Sequence, residues 1–169
     1  MSSVVLSGDS SGTVTLTVPS AAGTNTATLP AATGTVMVSG NQPAFSAYAS
    51  SNQSISSGVF TKVQIDTEVF DTNNNFASYR FTPTVAGYYQ INGAVQFASA
   101  GVNNLASIYK NGSEIYRGTQ GSIFQNIATG LVSMNGSTDY IEFYGFQNSG
   151  GNSNVGDRTI ASGSLVRAA

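Results

Sequence analysis

Asp66, Glu68 and Asp71, with Asn73, Asn74 and Asn75 close behind, place several hard oxygen donors within ten residues. Calcium is the metal that such a set suits, since it takes about six to eight oxygen ligands in a flexible geometry. The spacing does not match an EF-hand loop, and a solvated acidic edge before an Asn-rich turn explains the same residues without an ion. Asp66 and Glu68 also share a strand face, as a glycosidase pair would, but that chemistry needs a cleft, a raised carboxyl pKa and a sugar platform, and Trp is absent. His and Cys are absent too, which removes imidazole bases, thiolate nucleophiles, disulfides and zinc sites. No catalytic residue and no cofactor is expected.

The elements that carry these residues belong to a chain of 169 residues, enough for one main core and a short extra segment. Ser, Thr, Asn and Gln number 64, whereas Lys and Arg total 6 and Asp and Glu total 8. The surface is therefore polar but nearly uncharged. A net charge of −2 offers no electrostatic footing on a phosphate backbone or an anionic bilayer, so neither nucleic acid nor membrane is an expected partner. The N-terminal Met-Ser-Ser-Val-Val-Leu lacks the basic leader and apolar run of a signal peptide, which predicts synthesis in the cytoplasm.

Composition changes near residues 41–43. Residues 1–40 hold one charge, Asp9, and no aromatic residue, while all 9 Phe and 8 Tyr lie from Phe45 to Phe146. Thr13 to Val18 alternates strictly and predicts a strand with Val14, Leu16 and Val18 on one face, ended by Pro19. Weaker strand-like pieces follow at 26–29 and 35–38. Forty residues with so few large side chains cannot build a core, so this arm must dock on copies of itself or on another protein.

From residue 43 onward the pattern predicts strands throughout. Residues 88–98 alternate, with Tyr89, Ile91, Val95 and Phe97 on one face and Gln90, Asn92, Gln96 and Ala98 on the other. Residues 105–110 and 114–117 flank Asn111-Gly112, a hairpin signal because both residues accept positive φ. Asn135-Gly136 predicts a second such turn, joining 130–134 to 139–146. A last strand at 159–167 follows a Gly- and Asn-rich loop, 147–157. This loop and 99–104 are candidates for recognition loops on a rigid scaffold. The strand from Tyr140 to Phe146 carries apolar residues on both faces, so something covers the second face: a long loop of the same chain or a neighbouring subunit. An ion pair of Arg80 with Glu142 across subunits fits the second case.

Pro43-Ala44-Phe45-Ser46-Ala47-Tyr48, Phe81-Thr82-Pro83, Ala86-Gly87-Tyr88-Tyr89-Gln90-Ile91 and the closing Ile160-Ala161-Ser162-Gly163-Ser164-Leu165-Val166 resemble successive blocks of the complement C-one-q globular head. The resemblance spans 43–169. It implies an all-β fold, a ten-stranded antiparallel jelly roll of the tumour-necrosis-factor-like class, assembled as a homotrimer. The inner sheet, with the strands at 88–98, 139–146 and 159–167, would face neighbouring subunits, so Tyr88, Tyr89, Ile91, Tyr140, Phe143 and Tyr144 would form trimer interface and core. The Thr/Ala/Gly-rich stretch from Gly12 to Val38 resembles segments near the N-termini of bacteriophage tail-fibre and virion-surface proteins. Together these imply a non-enzymatic phage structural protein on the particle surface. Its knob, 43–169, would be held by residues 1–40 to other virion proteins through Val14, Leu16, Val18, Leu29, Val36 and Val38. Capsid decoration and a short fibre or spike tip are both open placements, and an adhesin that binds a host-surface glycan is the competing reading.

Overall fold

The computed structural model describes residues 3–21, 23–28, 31, 33–34, 36–98, 103–122 and 124–169. Leu29 lies outside the described residues, as do 99–102 of the 99–104 loop. The chain forms two compact units, 1–34 and 35–169.

The first unit contains a single hairpin. β1 (Ser3–Ser7) pairs antiparallel with β2 (Thr13–Thr17), and the Gly8 amide donates to the Gly12 carbonyl at 2.9 Å to close the loop. The alternation predicted for β2 is present, whereas its partner β1 was not anticipated from the sequence. No strand forms at the described residues of 26–29 or 35–38; Pro30 and Gly34 stand between the two stretches in the sequence. Val36 and Val38 belong to the second unit, beside the one-turn 3-10 segment Ser39–Asn41. There the Val38 amide donates to Asn41 Oδ1 at 2.7 Å and Asn73 Nδ2 donates to the Gly40 carbonyl at 3.0 Å.

The second unit is an all-β antiparallel sandwich with no α-helix among the described residues. Its strands are β3 (Ala44–Tyr48), β4 (Gln53–Ile55), β5 (Thr61–Lys62), β6 (Thr67–Asp71), β7 (Phe76–Ala77), β8 (Arg80–Phe81), β9 (Gly87–Gln96), β10 (Leu105–Lys110), β11 (Ser113–Arg117), β12 (Gln125–Met134), β13 (Ile141–Phe146), β14 (Ser153–Val155) and β15 (Ile160–Ala168). One sheet runs β12-β9-β15-β3-β6; the other runs β11-β10-β13-β8-β7, with β5 also on β13. β4 and β14 pair separately.

The inward residues of β9 are those its alternation predicts: Tyr89, Ile91 and Val95 are buried, as is Phe97 just beyond the strand. They meet Phe45, Phe76, Phe81, Ile108, Ile141 and Phe143 in one core. Phe45 stacks on Phe81 at 4.4 Å between ring centroids, and Phe81 meets Tyr89 edge-on at 5.6 Å. The Tyr89 hydroxyl donates to the Val85 carbonyl at 2.6 Å, and burial pushes its pKa up to about 12.

Two connections differ in kind. Asn111 and Gly112 both take positive φ, 53° and 79°, and close the predicted tight hairpin of β10 and β11. Asn135-Gly136 was expected to close a hairpin as well, but β12 and β13 lie in different sheets, so this turn crosses the sandwich. Asn135 stays at negative φ and its Oδ1 accepts from the amides of Ser137, Thr138 and Asp139, each at 3.0 Å. Gly136 alone is left-handed, and a Cβ there would lie 2.3 Å from the Ala86 amide nitrogen.

Candidate subunit interface

The strand at 139–146 was expected in one sheet with 88–98 and 159–167. β13 instead belongs to the opposite sheet, with Phe143 in the intramolecular core beside Tyr89 and Ile91. Its other face carries Glu142, Tyr144 and Phe146, and the chain covers that face itself. Tyr109 stacks on Tyr144 at 3.9 Å, Phe60 packs against Phe146 at 4.8 Å, and the Arg117 guanidinium lies 5.2 Å from the Phe60 ring centre. The outward apolar residues of β13 are thus packed within the chain: Tyr109 and Arg117 flank them from the neighbouring strands β10 and β11, and Phe60 of the 56–60 loop lies against Phe146.

Glu142 is the polar centre of that cover. Its Oε1 is 2.7 Å from Lys62 Nζ and 2.8 Å from an Arg80 terminal nitrogen, so the Arg80 pairing exists within one chain rather than between subunits. Burial alone would raise the Glu142 pKa, but the hydrogen bonds and charges of Lys62 and Arg80 outweigh it and hold the carboxyl below its usual range. Arg80 also covers the Tyr140 ring at 4.1 Å, and Lys62 Nζ donates to the Ser78 carbonyl at 3.0 Å. Tyr140 and Tyr144 thus have their partners inside the chain.

The acidic run does not converge. Asp66 Oδ1 and Oδ2 accept from the Ser50 amide and hydroxyl at 2.8 and 2.7 Å, bonds that lower its pKa. Asp71, at the far end of β6, accepts from the amides of Asn73 and Phe76 at 3.3 and 2.6 Å. Glu68 is exposed on the strand between them, and no group of three acidic side chains comes within metal-holding reach among the described residues. The loop at 147–157 is partly strand: β14 pairs with β4, and buried Gln147 ties the loop by donating to the Gly151 carbonyl at 2.8 Å and accepting from the Ser149 amide at 2.7 Å.

In the second unit, one surface with several exposed apolar residues is the outward face of the β12-β9-β15-β3-β6 sheet. Strand register aligns Ile127, Ala94, Ile160, Tyr48 and Thr67 in one row. Below it run Thr129, Asn92, Ser162, Ser46 and Phe70, then Leu131, Gln90, Ser164 and Ala44, then Ser133, Tyr88 and Arg167. Ile127, Ile160 and Leu131 are 57%, 50% and 50% exposed. The middle row is tied by Gln90 Nε2 donating to Thr129 Oγ1 at 2.8 Å, while that hydroxyl donates to Asn92 Oδ1 at 2.6 Å. Arg167 is the one charged residue of these rows. Of the six aromatic and aliphatic residues proposed for the interface and core, Tyr88 alone falls here; Tyr89 and Ile91 point inward from the same strand.

Ile127 lies outside the strand expected at 130–134, because β12 begins at Gln125; Leu131, Ile160 and Tyr48 lie in expected strands or blocks but were given no place in an exposed face. The signal was there: Ile127, Thr129 and Leu131 alternate with buried Ala128 and Val132. Such a face can exclude water against a second protein surface through aliphatic and Tyr contacts while its hydroxyl and amide groups stay bonded to one another.

No protein-family model and no curated protein sequence matches this chain. Solved structures do. The globular domain of zebrafish complement 1qA is 18% identical over 76% of this chain and 99% of its own, with a TM-score of 0.55. Murine APRIL is 11% identical over 74% and 99%, with a TM-score of 0.59. The phage PRD1 vertex protein P5 is 15% identical over 73% and 94%, with a TM-score of 0.53. The sandwich is thus an all-β antiparallel fold of the C1q/TNF-like type.

Proposed function

We propose that this chain is a non-enzymatic structural protein of a bacteriophage virion, a homotrimeric surface knob formed by residues 43–169 and held to the particle by residues 1–40. The observation that carries the reading is the outward face of the β12-β9-β15-β3-β6 sheet, where Ile127, Ile160, Tyr48 and Leu131 are exposed on a nearly uncharged surface. A face of this kind stabilises a cyclic assembly, in which each copy makes a heterologous contact with its neighbour and the ring closes. The likeness to a phage vertex protein supports the virion setting, and the absence of His and Cys supports a role without covalent chemistry.

Native mass spectrometry of the full chain tests the assembly. Three copies of 17.4 kDa give a species near 52 kDa, the expected result. A single species at 17.4 kDa over the micromolar range would overturn it.

A further inference from the structure

The N-terminal hairpin has two unlike faces. Val4 stands opposite Leu16 and Leu6 opposite Val14, so one face is wholly aliphatic; Ser3 opposite Thr17, Val5 opposite Thr15 and Ser7 opposite Thr13 make the other mainly hydroxylic. All four aliphatic residues of the first face are more than half exposed, as is Val18 just beyond β2, which lines a shallow groove with Val4 and Leu16. Every described residue of 1–34 is exposed, so the unit has no core of its own. An isolated two-stranded ribbon is marginal in water at best.

We infer that the aliphatic faces of the hairpins from three copies of this chain pack against one another, closing a small apolar core that exists only in the trimer. This rests on the trimer proposed above. Two observations select copies of the hairpin over a foreign partner. The first is charge. Residues 3–17 carry only Asp9, in the turn, so the strands of identical hairpins meet without charge repulsion. The strand edges also lack the Lys or Pro that keeps exposed ribbons apart.

The second is area. Five aliphatic side chains offer at most on the order of 500 Å², short of the ~800 Å² per partner that holds a stable complex of free molecules. The same patch suffices when its copies are already tethered, because covalent linkage raises their effective concentration to about the millimolar range. The chain from Val18 to the start of the second unit at Thr35 is that tether. The hairpins therefore associate as a consequence of knob assembly and add to it.

The absence of cysteine makes the test direct. Full-length Leu16→Cys and Leu6→Cys probe the aliphatic face and Thr15→Cys the hydroxylic face. Each is treated with a mild oxidant and, separately, with a short bismaleimide, and the native mass is read on the same sample. The expected result is a trimer in which Leu16→Cys or Leu6→Cys links up to two of three chains covalently, with at least about tenfold less product from Thr15→Cys. Equal yields from both faces, or no product from either aliphatic position, in a protein that is trimeric by mass would overturn the inference and leave the knob trimer standing. A monomeric mass would overturn both.

Discussion

The two outward faces of the sandwich invert what their strands suggest when taken singly. β13, with Tyr144 and Phe146 beside Phe143, has the composition of a subunit contact, yet its outward rings pack on Tyr109 of the adjoining strand and on Phe60 of the same chain. β9 and β15 show mostly Gln, Asn and Ser outward, but register brings Ile127, Ile160 and Tyr48 into one row beside them. An apolar residue on a strand marks a need for cover. Which part of which molecule provides that cover depends on residues far away in sequence.

The largest effect expected from that contrast is on assembly. The double variant Ile127→Asp, Ile160→Asp places two charges in the exposed row and weakens trimer association by about a thousand-fold, a hot-spot loss of ~4 kcal/mol. Circular dichroism and the melting temperature of the monomer stay close to the parent, because neither side chain enters the core. A trimer that persists at nanomolar concentration would remove this face from the interface.

Tyr144→Asp should do the reverse. It removes the ring stacked on Tyr109 and sets a second carboxylate beside Glu142, whose Oε2 lies 3.4 Å from the Tyr144 hydroxyl. The expected loss is about 2–4 kcal/mol of folding stability in urea titration, with the stoichiometry of the remaining folded protein unchanged. Loss of the trimer without loss of fold would return β13 to the interface.

Glu142→Gln is the mildest of the three. Lys62 and Arg80 lose their shared carboxylate, but their side chains keep 26% and 40% exposure, so the cost is about 1–3 kcal/mol rather than the full penalty of a buried unpaired charge. The pH dependence follows from the lowered folded-state pKa. The unfolded chain binds this proton first, so the stabilisation is complete above the ordinary glutamate value of 4.5 and is lost as pH falls through the lower folded value. Melting temperature against pH should therefore show a shallower acid limb in the variant than in the parent. Asp139, lowered by its bonds to Lys110 and Asn111, keeps part of that limb in both. Identical acid limbs would show that Glu142 is not a source of it.

Much of the fold was legible because it is local. The alternation of β9, the Asn111-Gly112 hairpin and the strict period of β2 each fix a backbone shape within a few residues. The Asn135 turn misled because Asn-Gly also serves where Asn caps the loop and only Gly is left-handed; the two uses differ in what lies beyond the turn, here the close approach of Ala86. β1 went unread because Ser-Val-Val-Leu-Ser has no strict period, and its pairing with β2 supplies what its own pattern lacks.

The amino-acid sequence by itself determined an all-β sandwich, a nearly uncharged polar surface, a first forty residues without an aromatic side chain, and the exclusion of imidazole and thiol chemistry. These follow from residue type and short-range period, which require no knowledge of neighbours. Tertiary structure alone decided that Arg80 and Lys62 share Glu142, that Asp66 and Asp71 cap separate turns, that β13 is covered from within, and that Ile127 and Ile160 share an exposed row. Each of these joins residues separated in the chain, some by more than sixty positions, and strand order and register set such distances only when both sheets are complete.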